Sequence, residues 1–402
     1  MMRRLALLVL ALVACGDNLP PRATPPAYTA AHSGSIVATA DSVYVVNADS
    51  DSVSVIDAHA RTLSAEILLA PARPAPAADG TYTPAVQPRA LALSPDGTTL
   101  YVTGERSGML YAIDVASRAV RSVAVGSEPV GVAVTPDGAT VFVACSQDDK
   151  VAVVDAAMLT VRASIAVPAE PWGLAWSPAD ESLLVTHLLT PAVTAIDPVA
   201  RSVIATSMIP DTQPRGDKRL AHGQVRGLYD VAARPGTEEL WVAHVMLGTD
   251  TAQPDLDFES TVFPSLSILR AGGTYHTTLS IDVLALPGID GSFGDVVSGP
   301  HALAFTGDGA LALVVDTNSE DLLLVDAEHE VESTLLRPLP GHMPEGIALS
   351  PDETVAYIDE RNSGDVAVVS LDRTGDHPVL AVAGTIARLE TDPMPADLRL
   401  GQ

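Results

Sequence analysis

A seven-bladed β-propeller, all-β and built of four-stranded antiparallel blades, is the fold this chain predicts, and three observations predict it. First, residues 128–167 are repeated by the segments on either side. Each copy opens Pro-x-Gly/Ala, runs through a short apolar segment, turns at Ser/Thr-Pro-Asp-Gly or a relative of it, and continues through three more short runs. Second, two independent markers share one period: the turn prolines Pro95, Pro136 and Pro178 and the run-ending aspartates Asp114, Asp155 and Asp197 each recur after 41 and then 42 residues. Third, hydrophobic residues make up 47% of the chain and aromatics only 4%, so the core must come from Val, Ala, Leu and Ile, a composition that suits strands. A lone four-stranded meander cannot cover both of its faces, whereas a ring of meanders repeating every ~40 residues covers them all.

Taken in order, blade one is diverged, with a short inner run near residues 35–42 followed by Tyr44-Val45-Val46-Asn47 and Val55-Ile56-Asp57. Residues 70–88 are a Pro/Ala-rich connector, read as a surface loop. Blades two, three and four are the regular copies. Blade five opens at Arg226-Gly227-Leu228, turns at Arg234-Pro235-Gly236-Thr237 and has 240–244 as its second strand; its third waits until 265–269. Residues 210–223 and 246–264 are thus insertions, and loops of that length in a compact ring are usually functional or disordered. Blade six opens at Pro300-His301-Ala302, turns at Thr306-Gly307-Asp308-Gly309 and ends its third strand at Asp326. Blade seven opens at Pro344-Glu345-Gly346, turns at Ser350-Pro351-Asp352-Glu353 and finishes within 379–389.

The organisation expected is a signal peptide over 1–14, a disordered tether over 15–34, the propeller over 35–389 and a tail over 390–402. The first residues carry two arginines and an apolar stretch from Leu5 to Val13, as a short secretory signal does. Formal charge is −27, from 50 acidic against 23 basic residues, which repels phosphate backbones and anionic headgroups and speaks against a nucleic-acid partner. With Cys15 modified, Cys145 has no thiol left to pair with, and it reads as a small buried hydrophobe.

Tyr44-Val45-Val46-Asn47 and Tyr101-Val102-Thr103-Gly104, each followed by a strand ending Ile-Asp, resemble the YVTN repeat family of bacterial seven-bladed propellers over roughly residues 35–389. That resemblance implies the fold and says little about chemistry. The fourth letter departs in the copies ending at Cys145, His187 and His244. Leu12-Val13-Ala14-Cys15 resembles a bacterial lipoprotein box, which implies cleavage before Cys15, lipidation of its thiol, and a place in the cell envelope facing the periplasm or the cell surface. The run through residues 257–269 and the ending TDPMPADLRLGQ are similar to those of long propellers whose C-terminal half is a di-haem cytochrome c domain of the peroxidase-like kind. There such a phrase leads into the first haem module, so haem c is implied for a following domain. This chain has no Cys-x-x-Cys-His.

Blade geometry sorts the unusual residues. The loop entering a first strand and the loop leaving a second strand open on one rim. The entering positions read Arg89, Val130, Trp172, Arg226, His301 and Glu345; the second strands end at Asn47, Gly104, Cys145, His187, His244, Asp316 and Glu360. The expected site is this rim around the channel mouth, with Arg89, Trp172, Arg226, His301, Glu345, His187, His244 and Asp316 as its residues. Arg89 and Arg226 stand out as two of few cations, suited to clamping a carboxylate or a haem propionate. The alternative is that varied polar residues at crowded strand starts only satisfy buried backbone. His187, His244, His301 and His342 share the rim and are the candidates for a copper or zinc site, but no His-x-His or Glu-x-x-His spacing supports one. Asp49/Asp51, Asp148/Asp149 and Asp255/Asp257 lack the spacing of a calcium loop and read as solvated charge. No Gly-x-Ser-x-Gly, triad spacing or phosphate loop occurs.

These readings favour a lipid-anchored, monomeric propeller that binds a protein or small-molecule partner at the rim, without catalysis of its own and without a cofactor in this chain. The alternative is the propeller half of a haem electron-transfer protein. A lactonase-like hydrolase comes third.

Overall fold

The structure, a computed structural model, describes residues 32–212, 221–248, 262–270, 273–281, 297–375 and 377–399. It contains seven four-stranded antiparallel sheets, and within each the four strands follow one another along the chain. The innermost strands are Ile36–Ala38, Pro88–Leu93, Pro129–Val134, Pro171–Ser177, Gln224–Ala233, Pro300–Phe305 and Pro344–Leu349, and they line the central channel side by side.

The scarcity of aromatics is met by stacking. Buried apolar side chains fall into seven clusters, each shared by two neighbouring blades. Between blades three and four, for example, Val130, Phe142, Val151 and Ile165 pack on Leu174, Leu183, Val185 and Ile196. Fourth strands such as Val120–Ala124 and Ser202–Met208 stand at the perimeter and are largely exposed, which is why only they alternate clearly in sequence.

The repeated aspartates hold turns. Asp96, Asp137, Asp308 and Asp352 each accept the hydroxyl two residues earlier and the backbone N–H two residues later. Asp57, Asp114, Asp155, Asp197 and Asp326, at the ends of third strands, cap the following turn by accepting its N–H groups. These turns make up the rim opposite the channel mouth.

The ring closes without exchanging a strand. Ile36, Val43, Val45 and Ile56 of blade one pack on Ala348, Tyr357, Val366 and Ile386 of blade seven. Arg388, just past the last strand, crosses this seam: its guanidinium is 2.6 Å from Asp359 and donates to the carbonyls of Val46, Glu360 and Arg361. The end of the segment assigned to the tether also takes part. Ser33 donates its N–H to Leu174 O of blade four at 2.7 Å, and Gly34 O accepts from Leu91 N of blade two at 2.8 Å. Residues 32–35 thus cross the channel before entering blade one.

Candidate functional site at the channel mouth

One residue from each of blades two to seven meets at the mouth, Arg89, Val130, Trp172, Tyr229, His301 and Glu345, and Gly34 of the segment leading into blade one completes the ring. The space they enclose is small, about 50 Å³, with Ser33 to Ser35 along one side. Crowding explains the Gly that follows so many entering residues. A Cβ on Gly131 would sit 2.2 Å from Trp172 O of the next blade, and one on Gly346 would sit 2.1 Å from Ser35 Oγ.

The mouth is organised by Glu345, which is nearly buried and held between two arginines. Arg89 Nη1 lies 3.1 Å from Oε2, and Arg361 Nη1 lies 3.1 Å from Oε1. Burial alone would raise this carboxyl, but Arg89, Arg361 and His301 outweigh it and hold the pKa at about 2. The Arg89 guanidinium also stands 5.3 Å over the Trp172 ring. His301 donates from Nδ1 to Glu345 O at 2.9 Å and stacks on Tyr229, with ring centroids 4.7 Å apart. Burial, ahead of the Glu345 charge that opposes it, lowers the His301 pKa. Glu105, beside the two arginines, is pushed up by burial while they pull the other way. Below the mouth, Asp230 joins three elements: its Oδ2 accepts from Leu303 N of blade six at 2.9 Å, its Oδ1 from its own strand, and His32 lies 3.9 Å away.

Of the residues expected here, Arg89, Trp172, His301 and Glu345 are brought together. Arg226 is not. It sits three residues ahead of the entering position, where Nη1 donates to Val225 O and Nη2 to Gln224 Oε1, and a bulge between Arg226 and Asp230 places Tyr229 at the mouth instead. The partner of Arg89 in the clamp is Arg361, and the carboxylate they hold is the chain's own. His187, His244 and Asp316 are fully buried within their blades, because the alternation of the strand turns them away from the mouth. His187 Nε2 pairs with Thr194 Oγ1 at 2.9 Å and His244 Nε2 with Ser267 Oγ at 2.7 Å; burial lowers both to about 4. His342 pairs with Glu320 on the surface. The four histidines therefore occupy separate places, and among the described residues no group of three metal-ligating side chains converges. Cys145 is buried and its thiol is pushed up to about 11 by that burial. Cys15, residues 213–220, most of 246–264 and the Asp255/Asp257 pair lie outside the described residues.

Sequence reasoning missed Tyr229, Arg361 and Glu105. Tyr229 had a signal: Arg89, Val130, Trp172 and Glu345 each stand six residues before Pro95, Pro136, Pro178 and Pro351, and six before Pro235 is Tyr229.

Two second-strand ends pair acid with acid across the hairpin, Asp316 with Asp321 and Glu360 with Asp365. Burial, chiefly, and the neighbouring carboxylate raise Asp316 well above its usual range, and Glu360 and Asp365 rise by burial too, with Glu360 the proton carrier of that pair. A carboxyl whose native pKa lies above its unfolded one contributes stability that is complete below the unfolded value and is lost as pH rises through the native value. The buried neutral His187 and His244 act the other way below pH ~6.5, so the carboxyls are read above that range: denaturant midpoints should be higher at pH 7 than at pH 9, and Glu360→Gln should narrow the gap. An equal gap in the variant would show that the Glu360 proton does not contribute.

No family model and no curated protein matches the chain. Among solved structures it is similar to hydrazine synthase of Kuenenia stuttgartiensis, at 20% identity over 83% of this chain and 94% of that one, with a TM-score of 0.70. Virginiamycin B lyase of Staphylococcus aureus is 13% identical over 82% and 92%, with a TM-score of 0.55. A dihydro-heme d1 dehydrogenase in complex with DHE is 14% identical over 86% and 75%, with a TM-score of 0.51. At such identities the likeness is one of fold, and the chain is a seven-bladed β-propeller.

Proposed function

We propose that this protein is a binding or docking scaffold of the cell envelope, lipid-anchored at Cys15, that engages a protein or small-molecule partner through the channel-mouth rim. The observation that supports it is the difference between the two rims. The opposite rim repeats two kinds of self-satisfied aspartate turn, while the mouth gathers unlike side chains, Arg89, Trp172, Tyr229, His301 and Glu345, one per blade. Variety at equivalent positions of a repeat is where a binding face differs from a scaffold. A photo-reactive phenylalanine analogue at Trp172 should give one defined adduct in the native envelope, and the same probe at Asp96 on the opposite rim should give none. Adding Arg89→Ala to the Trp172 probe should cut the adduct by about tenfold, since Arg-centred contacts anchor interfaces. Equal labelling from both rims would remove the proposal.

A second reading, the propeller half of a haem electron-transfer protein, is supported by the seat of the C-terminal segment. Arg399 ties it to Asp49 of blade one at 3.3 Å, and Met394 is buried beneath it, so the chain reaches residue 399 over the mouth-bearing rim. Intact mass and a haem stain of the native protein separate the two. A heavier, haem-positive species supports this reading, and a haem-free species ending at Gln402 ends it.

A further inference from the structure

A second cavity, of about 230 Å³, lies on the mouth-bearing rim at the seam of blades one and seven, under the C-terminal segment. Its charged lining consists of Arg361, Arg388, Arg399, Asp49 and Asp392, and Leu389 supplies apolar surface. Two of the arginines have both terminal nitrogens engaged, although the buried Nε of Arg388 has no acceptor among the described residues. Arg399 holds both oxygens of Asp392 with Nε and Nη2 and reaches Asp49 with Nη1. Arg388 has Asp359 and three carbonyls on its two terminal nitrogens.

Arg361 differs. Only its Nη1 has an acceptor among the described residues, both oxygens of Glu345, which leaves Nε and Nη2 without one. The Nε/Nη2 edge of a guanidinium is a planar fork that matches a carboxylate with two parallel hydrogen bonds. Each guanidinium of the lining already faces a carboxylate, Asp392 and Asp49 for Arg399, Asp359 for Arg388 and Glu345 for Arg361, so what the cavity offers an anion is the unused donor edge of Arg361 rather than a surplus of charge. The volume falls below the roughly 300–1,000 Å³ of sites for drug-sized ligands, which restricts the guest to a few carbons.

We propose that this seam cavity binds a small aliphatic monocarboxylate, its carboxylate on the free edge of Arg361 and its hydrocarbon against Leu389, with residues 391–399 as the cover. The site is separate from the channel mouth and does not rest on the scaffold reading.

Calorimetric titration of the full chain tests it, with valerate, inorganic phosphate and butylamine as probes. Valerate should bind saturably at one site, and phosphate and butylamine at least about tenfold more weakly, because neither matches a single positive fork lined by apolar surface. Arg361→Gln should weaken valerate by about tenfold or more, with circular dichroism confirming the fold. Leu389→Trp, which fills the cavity and leaves all three arginines in place, should abolish binding and decides the matter if Arg361→Gln does not fold. No saturable valerate heat, phosphate as tight as valerate, or valerate binding undiminished in Leu389→Trp would each overturn the proposal.

Discussion

Arg388→Ala is expected to destabilise the protein by about 3–5 kcal/mol, the largest effect of any single charged residue on the seam, because it strands a buried ion-pair partner. Arg388 is 5% exposed and does the work that an exchanged strand does in rings closed by one. Its guanidinium ties Asp359 of blade seven and Val46 O of blade one, and Ser54 of blade one donates to its carbonyl. Removal leaves Asp359 buried without its cation and three carbonyls short of a donor. Asp359, already raised by burial, would take up a proton more readily, so the loss should be larger at pH 8 than at pH 5. Urea unfolding at the two pH values reads this directly. A loss under about 1 kcal/mol would mean that the apolar contacts of the seam close the ring alone.

Trp241→Ala should cost a comparable ~3–5 kcal/mol through a cavity rather than a charge. Trp241 is fully buried between blades five and six, and its ring meets Phe305 edge-on at 5.4 Å. Around it stand Leu266, Ile268, Leu303 and Val314, short aliphatic side chains that cannot reach across the space it fills. Trp241→Phe should recover most of the loss. If both variants unfold at the wild-type midpoint, blade five is not packed on blade six in solution as it is in the structure.

The fold was legible because a propeller writes its topology as a period. Proline, aspartate and glycine recur where a turn needs a fixed φ, a side-chain cap or a missing Cβ, and each of those demands is local. The mouth was legible only in part, because it depends on register. Val225-Arg226-Gly227 imitates the Pro-x-Gly/Ala opening, but the strand begins early and bulges, and the true position carries Tyr229 followed by Asp230. Arg361 lay one residue beyond the second-strand end, where the other copies read Ala48, Glu105, Ser146, Leu188, Val245 and Thr317, and a position charged in only two copies of seven carries no periodic mark. His187 and His244 were placed on the correct strands, but their side chains point into the blades. The crossing of the channel by residues 32–35 left no trace in the pattern, since its bonds to Leu174 and Leu91 run mainly through the backbone and almost any sequence can make them.

That every blade is one uninterrupted piece of chain bears on how the molecule is made. Each hairpin pairs residues close in sequence, so a blade emerging during synthesis can complete its four strands before the next is translated, and its contacts close quickly. The contact between Val46 and Arg388 spans 342 residues and cannot form until almost the whole chain exists. Until then the chain is an open arc with blade one's outward face bare, and the order of assembly ends where it began, with Arg388 arriving to meet the first blade.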